Sequence, residues 1–221
     1  MPAGSVDVVI PVGPGHKELA QGAAESVHMA AMLGRGDFTR VRIVLKDDTS
    51  GTLGRSEARN KAVAESDAEW IYFLDADDVV TPPLFESVVG HLDAYDAIWG
   101  KFGELHGLCL MERFQTWGFS TYDALLSLSA HTSVKIGHFV RRAVALDNPF
   151  NVTMNAGEDW DYYLRVWKRY RCIKLGGPVV YAKRKGQHST GPRAATGADW
   201  NKSVAEQMAK ARQEHSAMLE A

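Results

Sequence analysis

Three carboxylates stand almost together at Asp75, Asp77 and Asp78, directly after the apolar run Trp70-Ile-Tyr-Phe-Leu74. Acids crowded that closely repel one another unless a cation joins them, and oxygen-only ligands suit a hard divalent ion, Mg²⁺ or Mn²⁺. An unbroken apolar run is the pattern of a strand buried on both faces, and ligands of open α/β sheets collect beyond the carboxyl ends of such strands. Asp77 is therefore read as a metal ligand. Asp78, shortly before Pro82-Pro83, reads equally as a ligand or as a helix-entry residue.

Several elements must bring other groups to those acids. Residues 6–12 form a first apolar strand ended by Gly13-Pro14-Gly15, and residues 16–33 have roughly helical apolar spacing and close on Gly34 and Gly36. The next strand, 41–45, also runs into acids, Asp47 and Asp48. If the strands are parallel, their acidic ends share one rim. The glycine-containing stretch 49–54 then leads into a helix reaching Glu65, with Arg55 and Arg59 near its start. Helix-start amides and arginines suit a diphosphate, although a glycine-rich turn followed by two solvated arginines looks the same in isolation.

Further along, 83–92 is expected to be a helix, 94–102 a strand and 122–128 a short helix. Trp117, Phe119 and Tyr122 are read as core packing in preference to an acceptor pocket. His131 and His138 have no ligand spacing and default to surface or core positions. A patterned helix is expected over 158–170, where Glu158 and Asp161 suit the helix dipole. A strand over 172–182 is interrupted at Gly176-Gly177-Pro178, and the basic stretch 183–189 is suited to closing over an anion. An amphipathic helix over 199–220 carries Trp200, Val204, Met208 and Ala211 on one side, to pack on the domain or on a second copy as a homodimer.

The bulk properties narrow the function. A chain of 221 residues with 45% hydrophobic content supports one well-cored α/β domain. A formal charge of -2 gives no broad basic field, which argues against tight sequence-independent nucleic-acid binding. The two cysteines, Cys109 and Cys172, show no metal spacing, and no run is long enough to span a membrane; a cytoplasmic protein is expected.

In their order, Val8-Val-Ile-Pro11, Asp47-Asp48-Thr-Ser50, Gly54-Arg-Ser-Glu-Ala58-Arg59-Asn60, Leu74-Asp75-Ala-Asp77-Asp78 and Glu158-Asp159-Trp160 resemble family 2 glycosyltransferases. The resemblance implies a GT-A (Rossmann-like) fold with a mostly parallel central sheet flanked by helices. It divides the chain into a transferase domain at 1–191, with a nucleotide-sugar half to about 103 and an acceptor half after it, and a helical tail at 192–221. It further implies a nucleotide-diphospho-sugar donor, UDP-linked, with Mn²⁺ or Mg²⁺. Asp47 would read the base, Pro11 and Val12 would line its pocket, and Arg55 and Arg59 would lie near base and diphosphate. Asp75 would sit toward the ribose and Asp77 on the metal. Asp159 would be the catalytic base. His188 is placed like a histidine that completes the metal site in some members, though a solvated histidine reads equally well there.

The near-adjacency of Ser50 and Gly54 departs from the family pattern, which usually carries a helix and a strand between those motifs; one strand is expected to be missing or replaced, with the base pocket altered accordingly. The implied chemistry is inverting transfer to a hydroxyl of a glycan, lipid carrier, protein, small molecule or modified nucleic-acid base. Two other readings compete. A phosphohydrolase of the HAD-like kind would use Asp75 as nucleophile and Asp77 as acid/base, and a nucleotide-sugar-binding module would retain affinity without turnover.

Overall fold

The computed structural model describes residues 4–112, 114–184 and 195–220. Its elements in chain order are β1 (Ser5–Val12), α1 (Lys17–Leu33), β2 (Arg40–Asp47), α2 (Arg55–Glu65), β3 (Trp70–Phe73), β4 (Asp78–Val80), β5 (Ala97–His106), β6 (Cys109–Glu112), α3 (Tyr122–Ser127), β7 (His138–Arg141), α4 (Arg142–Asp147), α5 (Glu158–Arg169), β8 (Cys172–Arg184) and α6 (Gly197–Leu219). The strands form one sheet in the order β2-β1-β3-β7-β5-β8-β4, with β6 added as a hairpin partner of β5.

The amino-terminal part of the sheet follows the sequence pattern. β1 pairs in parallel with both β2 and β3, with Val12 opposite Asp47 and Val9 opposite Phe73. The carboxyl ends of these three strands therefore lie on one rim. Every side chain of β3 is buried, as its apolar run requires. β2 is the sheet edge, and a short turn leads from it straight into α2. Among the described residues no strand lies beyond β2, consistent with the shortened spacing before Gly54.

Past β3 the sheet becomes mixed. β7 pairs antiparallel with β3 and β5, β4 pairs antiparallel with β8, and β5 with β8 is again parallel. β8 is one strand, not an interrupted one; its pairing steps from Trp99↔Lys174 to Lys101↔Val179, so the Gly176-Gly177-Pro178 segment is absorbed as an irregularity. The helix expected at 83–92 is a set of turns around one 3₁₀ turn, Glu86–Val88. Val89 leaves the helical region at ψ 132° and Gly90 follows at φ 76°, which ends the helix after one turn, while Leu84, Phe85, Val88 and Leu92 still reach the core.

Aromatic residues fill the centre. His138 is fully buried and stacks on Trp99 at 4.4 Å, and burial pushes its pKa down to about 3, so it is a neutral core histidine. Phe119 packs on Trp167 and Tyr122 on His215, but Trp117 is 82% exposed, contrary to its expected place in the core. The apolar side of α6 is used within its own domain: Val204, Met208 and Ala211 are buried, and Arg212 donates to the Leu126 carbonyl oxygen at 2.7 Å. No helix among the described residues is long and apolar enough to cross a membrane.

Gly137 precedes β7 at a point where a Cβ would meet the Tyr181 ring at 2.6 Å and the Tyr72 hydroxyl at 2.8 Å. Both rings are buried and cannot yield, so Gly137→Ala is expected to destabilise the fold by ~1–3 kcal/mol. Chemical denaturation checks this, and an unchanged midpoint would show that the packing can relax.

Candidate active site

The rim formed by β1, β2 and β3 is one wall of a cleft of about 870 Å³. Asp75 and Asp77, on the turn after β3, line it together with Asp159 from the first turn of α5. These acids come from separate parts of the chain and share one opening. Oxygens of Asp75, Asp77 and Asp78 lie within 4.8 Å of one another. Burial raises the Asp77 pKa, and the neighbouring Asp75 charge raises it further. Asp78 is raised well above the usual range, by burial and then by the charges of Asp77 and Asp75. The Asp78 carboxylate accepts the Tyr181 hydroxyl and the Arg184 N–H, the latter at 3.0 Å, so it is anchored to β8. Asp78 is thus a strand residue in the acid cluster and does not enter a helix. A divalent cation would fit this donor set, because it would relieve the repulsion that holds those carboxyls high.

Arg55 and Arg59 lie on the first turns of α2 and reach across the cleft floor. Arg55 forks onto Glu158, with Nη2 to Oε2 at 2.9 Å, and also donates to the Asn155 carbonyl oxygen at 2.6 Å. Arg59 is buried; its Nη2 donates to Asp75 Oδ1 at 2.5 Å and its Nη1 lies 3.5 Å from Glu158 Oε1. The chain Arg55–Glu158–Arg59–Asp75 therefore ties three elements together. Glu158 is the counter-ion of both arginines, a larger role than the dipole effect expected of it. Arg59 Nε and Nη1 are buried and make no hydrogen bond among the described residues, Nη1 being held only by its ion pair with Glu158.

Asp159 sits beside this network. Burial, then the Glu158 charge, pushes its pKa up to about 6, against the opposing influence of Lys135 and two hydrogen bonds. Those bonds come from the Trp160 backbone N–H at 2.9 Å and the Trp200 indole Nε1–H at 3.2 Å.

The residues expected to bind the base divide. Pro11 lines the cleft, whereas Val12 is packed in the core at 5% exposure and Asp47 is exposed. The Asp47 carboxylate accepts the Thr49 N–H at 2.8 Å, and that bond lowers its pKa. Asp48 faces the cleft in its place and accepts the Leu53 and Gly54 N–H groups at 2.9 and 2.7 Å, fixing the glycine turn before α2. His188 lies outside the described residues. Sequence reasoning missed Asp48, Lys135 and Trp200 as wall residues: a doubled acid does not say which member turns inward, and Trp200 reads simply as part of an apolar helix face.

Residues 24–107 match the model of a family described as Glycosyl transferase family 2. This segment belongs to glycosyltransferase family 2. Three of the five motifs quoted above fall inside the match; Val8–Pro11 and Glu158–Trp160 lie outside it. No curated protein sequence matches the chain. Among solved structures, S. aureus TarS 1-349 in complex with UDP-GlcNAc superposes with a TM-score of 0.62 at 15% identity, over 94% of this chain and 66% of that one. GalNAc-T7 with UDP, GalNAc and Mn²⁺ gives 0.60 at 10% identity, over 90% and 47%. Glucosyl-3-phosphoglycerate synthase from Mycobacterium tuberculosis, in complex with Mn²⁺, UDP-Glc and phosphoglyceric acid, gives 0.53 at 13%, over 95% and 79%. These likenesses establish the fold as GT-A. The chain spans 66% of the TarS chain it matches.

The buried arginine generates a stability prediction. Arg59→Met leaves Asp75 and Glu158 facing each other without their shared counter-ion and is expected to cost ~3–5 kcal/mol. Urea unfolding at pH 7 measures it; a loss below about 1 kcal/mol would mean that the network is solvated.

Proposed function

We propose that the protein is a metal-dependent glycosyltransferase that moves a sugar from a UDP-linked donor to an acceptor hydroxyl with inversion. The observation that carries the reading is the convergence of Asp77 and Asp159 on one cleft, within a GT-A fold and beside a family 2 segment. Its volume, about 870 Å³, is within the range of small-molecule pockets and adequate for a nucleotide sugar. The neighbours solved with UDP-GlcNAc, and with UDP or UDP-Glc together with Mn²⁺, support the donor and cation classes.

In this proposal Asp77, with Asp78 beside it, would hold the cation, and Asp75 would lie toward the ribose. When bound, Mn²⁺ or Mg²⁺ supplies positive charge against the diphosphate as the sugar departs. The chain's own contributions are separate. Arg59 keeps Asp75 in place, and its fixed positive charge stands at the wall of the cleft where the diphosphate charge develops. Pro11 and Asp48 border the part of the cleft assigned to the nucleotide. Asp159 takes the proton of the acceptor hydroxyl as that oxygen attacks the face of the sugar opposite the diphosphate, and a single base suffices for inversion. The donor half runs from residue 1 to about 103. The acceptor half follows it, and α6 closes that side because Trp200 and Asn201 line the cleft.

The phosphohydrolase reading loses support from the geometry. Asp75, its required nucleophile, is bound by a buried guanidinium, which lowers the reactivity of a carboxylate. A binding module without turnover is separated from the transferase by assay alone.

Two predictions follow from the titrating acids. Asp159→Asn should lower transfer by ~10²–10⁴ while UDP affinity, measured calorimetrically with Mn²⁺, stays within twofold of wild type. In the wild type kcat/KM should rise with pH through about 6, where Asp159 ionises; normal turnover by the variant would exclude Asp159 as the base.

The second concerns stability. Folded-state pKa values of Asp77 and Asp78 are raised, so the folded protein holds these protons more tightly than the unfolded chain. Their penalty is absent below the unfolded carboxylate range, grows as pH rises from that range and is complete above the raised values. Mn²⁺ should therefore raise Tm by several degrees at pH 7.5, less at pH 5, and scarcely at all in Asp77→Asn. Equal metal shifts in wild type and Asp77→Asn, read by calorimetric melting, would place the cation elsewhere.

A further inference from the structure

We infer that Trp200 of the carboxyl-terminal helix is a positioning residue for Asp159, holding one carboxylate oxygen so that the other is dedicated to the acceptor hydroxyl. The inference rests on the assignment of Asp159 as the base. Both hydrogen bonds to this carboxylate end on the same atom: the Trp160 N–H and the Trp200 indole N–H each donate to Oδ1. Among the described residues Oδ2 accepts none. A carboxylate fixed at one oxygen by two donors from different helices cannot rotate freely, and the unshared oxygen keeps its lone pairs for a proton.

The indole is itself held in place. Its ring lies 5.2 Å from the His131 ring and 5.5 Å from the Lys135 ammonium, and all three residues line the cleft. Helix α6 is anchored to the start of α5 independently of the indole: Ser203 Oγ donates to the Ala156 carbonyl oxygen at 2.9 Å, and Gln207 Nε2 to that of Gly157 at 3.0 Å. Gly157 has φ 74°, and a Cβ there would meet Ser203 Oγ at 2.7 Å, so the two helices approach closely where Asp159 begins. The groups facing Asp159 are Glu158 and Tyr163 on its own helix, Lys135 before β7, and Trp200 on α6. Of these, only Trp200 is a neutral side chain that donates to the carboxylate, so its substitution changes a hydrogen bond without changing any charge.

Trp200→Phe keeps a ring and removes the N–H. In full-length protein labelled with ¹³C at the aspartate carboxyls, the resonance missing from Asp159→Asn reports Asp159 without any substrate. Its midpoint near 6 should move to higher pH in Trp200→Phe, because a donor to the charged form is lost, and stay in place in Ser203→Ala. With UDP-N-acetylglucosamine, Mn²⁺ and water as acceptor, UDP release by Trp200→Phe should show kcat lowered about tenfold with donor KM unchanged. An unmoved midpoint in Trp200→Phe overturns the inference, as does an equal displacement in Ser203→Ala, which would trace the effect to helix docking. If Asp159→Asn hydrolyses the donor like wild type while the Trp200→Phe midpoint still moves, it is the assignment of Asp159 as base that fails.

Discussion

The site depends on one buried arginine. Arg59 lies between Asp75, which follows β3, and Glu158, which opens α5, and it is the charge that lets acids from distant parts of the chain approach one another. Without it the turn after β3 and the start of α5 would carry like charges into a poorly solvated cleft, where they repel strongly. Burying a guanidinium is costly in itself, and the cost is offset only because both carboxylates are close and Arg55 shares Glu158. The network stabilises a particular arrangement of α2, β3 and α5, which is what a cleft with two chemically distinct acids requires.

Those acids are separated by environment. Asp75 and Glu158 are paired with guanidinium groups, while among the described residues Asp77, Asp78 and Asp159 have no guanidinium side chain on them, and these three carboxyls are raised by burial and by their neighbours. Charge of one sign thus accumulates at two points of the cleft. At one, three oxygens lie close enough for a cation; at the other, one carboxylate stands alone beside Lys135 and an indole. The proposed transfer, which joins a diphosphate leaving group to an incoming hydroxyl, needs both.

The sequence made the amino-terminal part of this legible because local signals there agree. β1 and β3 are apolar throughout, their ends are marked by a glycine-proline turn and by acids, and parallel pairing then forces one rim. The same local signals fail farther on. β4, β6 and β7 are three or four residues long and owe their existence to neighbours in the sheet, chiefly β5 and β8, so no periodicity announces them. Helical spacing at 83–92 is real, but the backbone leaves the helical region at Val89 and Gly90. Within the site, Asp77 and Asp159 stood out from spacing and resemblance. Which of Asp47 and Asp48 turns inward depends on the amides of the following turn, and α6 as a cleft wall depends on contacts spanning more than forty residues, such as Trp200 to Asp159.

Anomalous scattering at the manganese edge, from crystals grown with Mn²⁺ and UDP, tests the central claim most directly. The expected result is a peak among the Asp75, Asp77 and Asp78 carboxylates with UDP in the cleft shared with Asp159. UDP bound there with manganese elsewhere, or UDP bound outside that cleft, would contradict it.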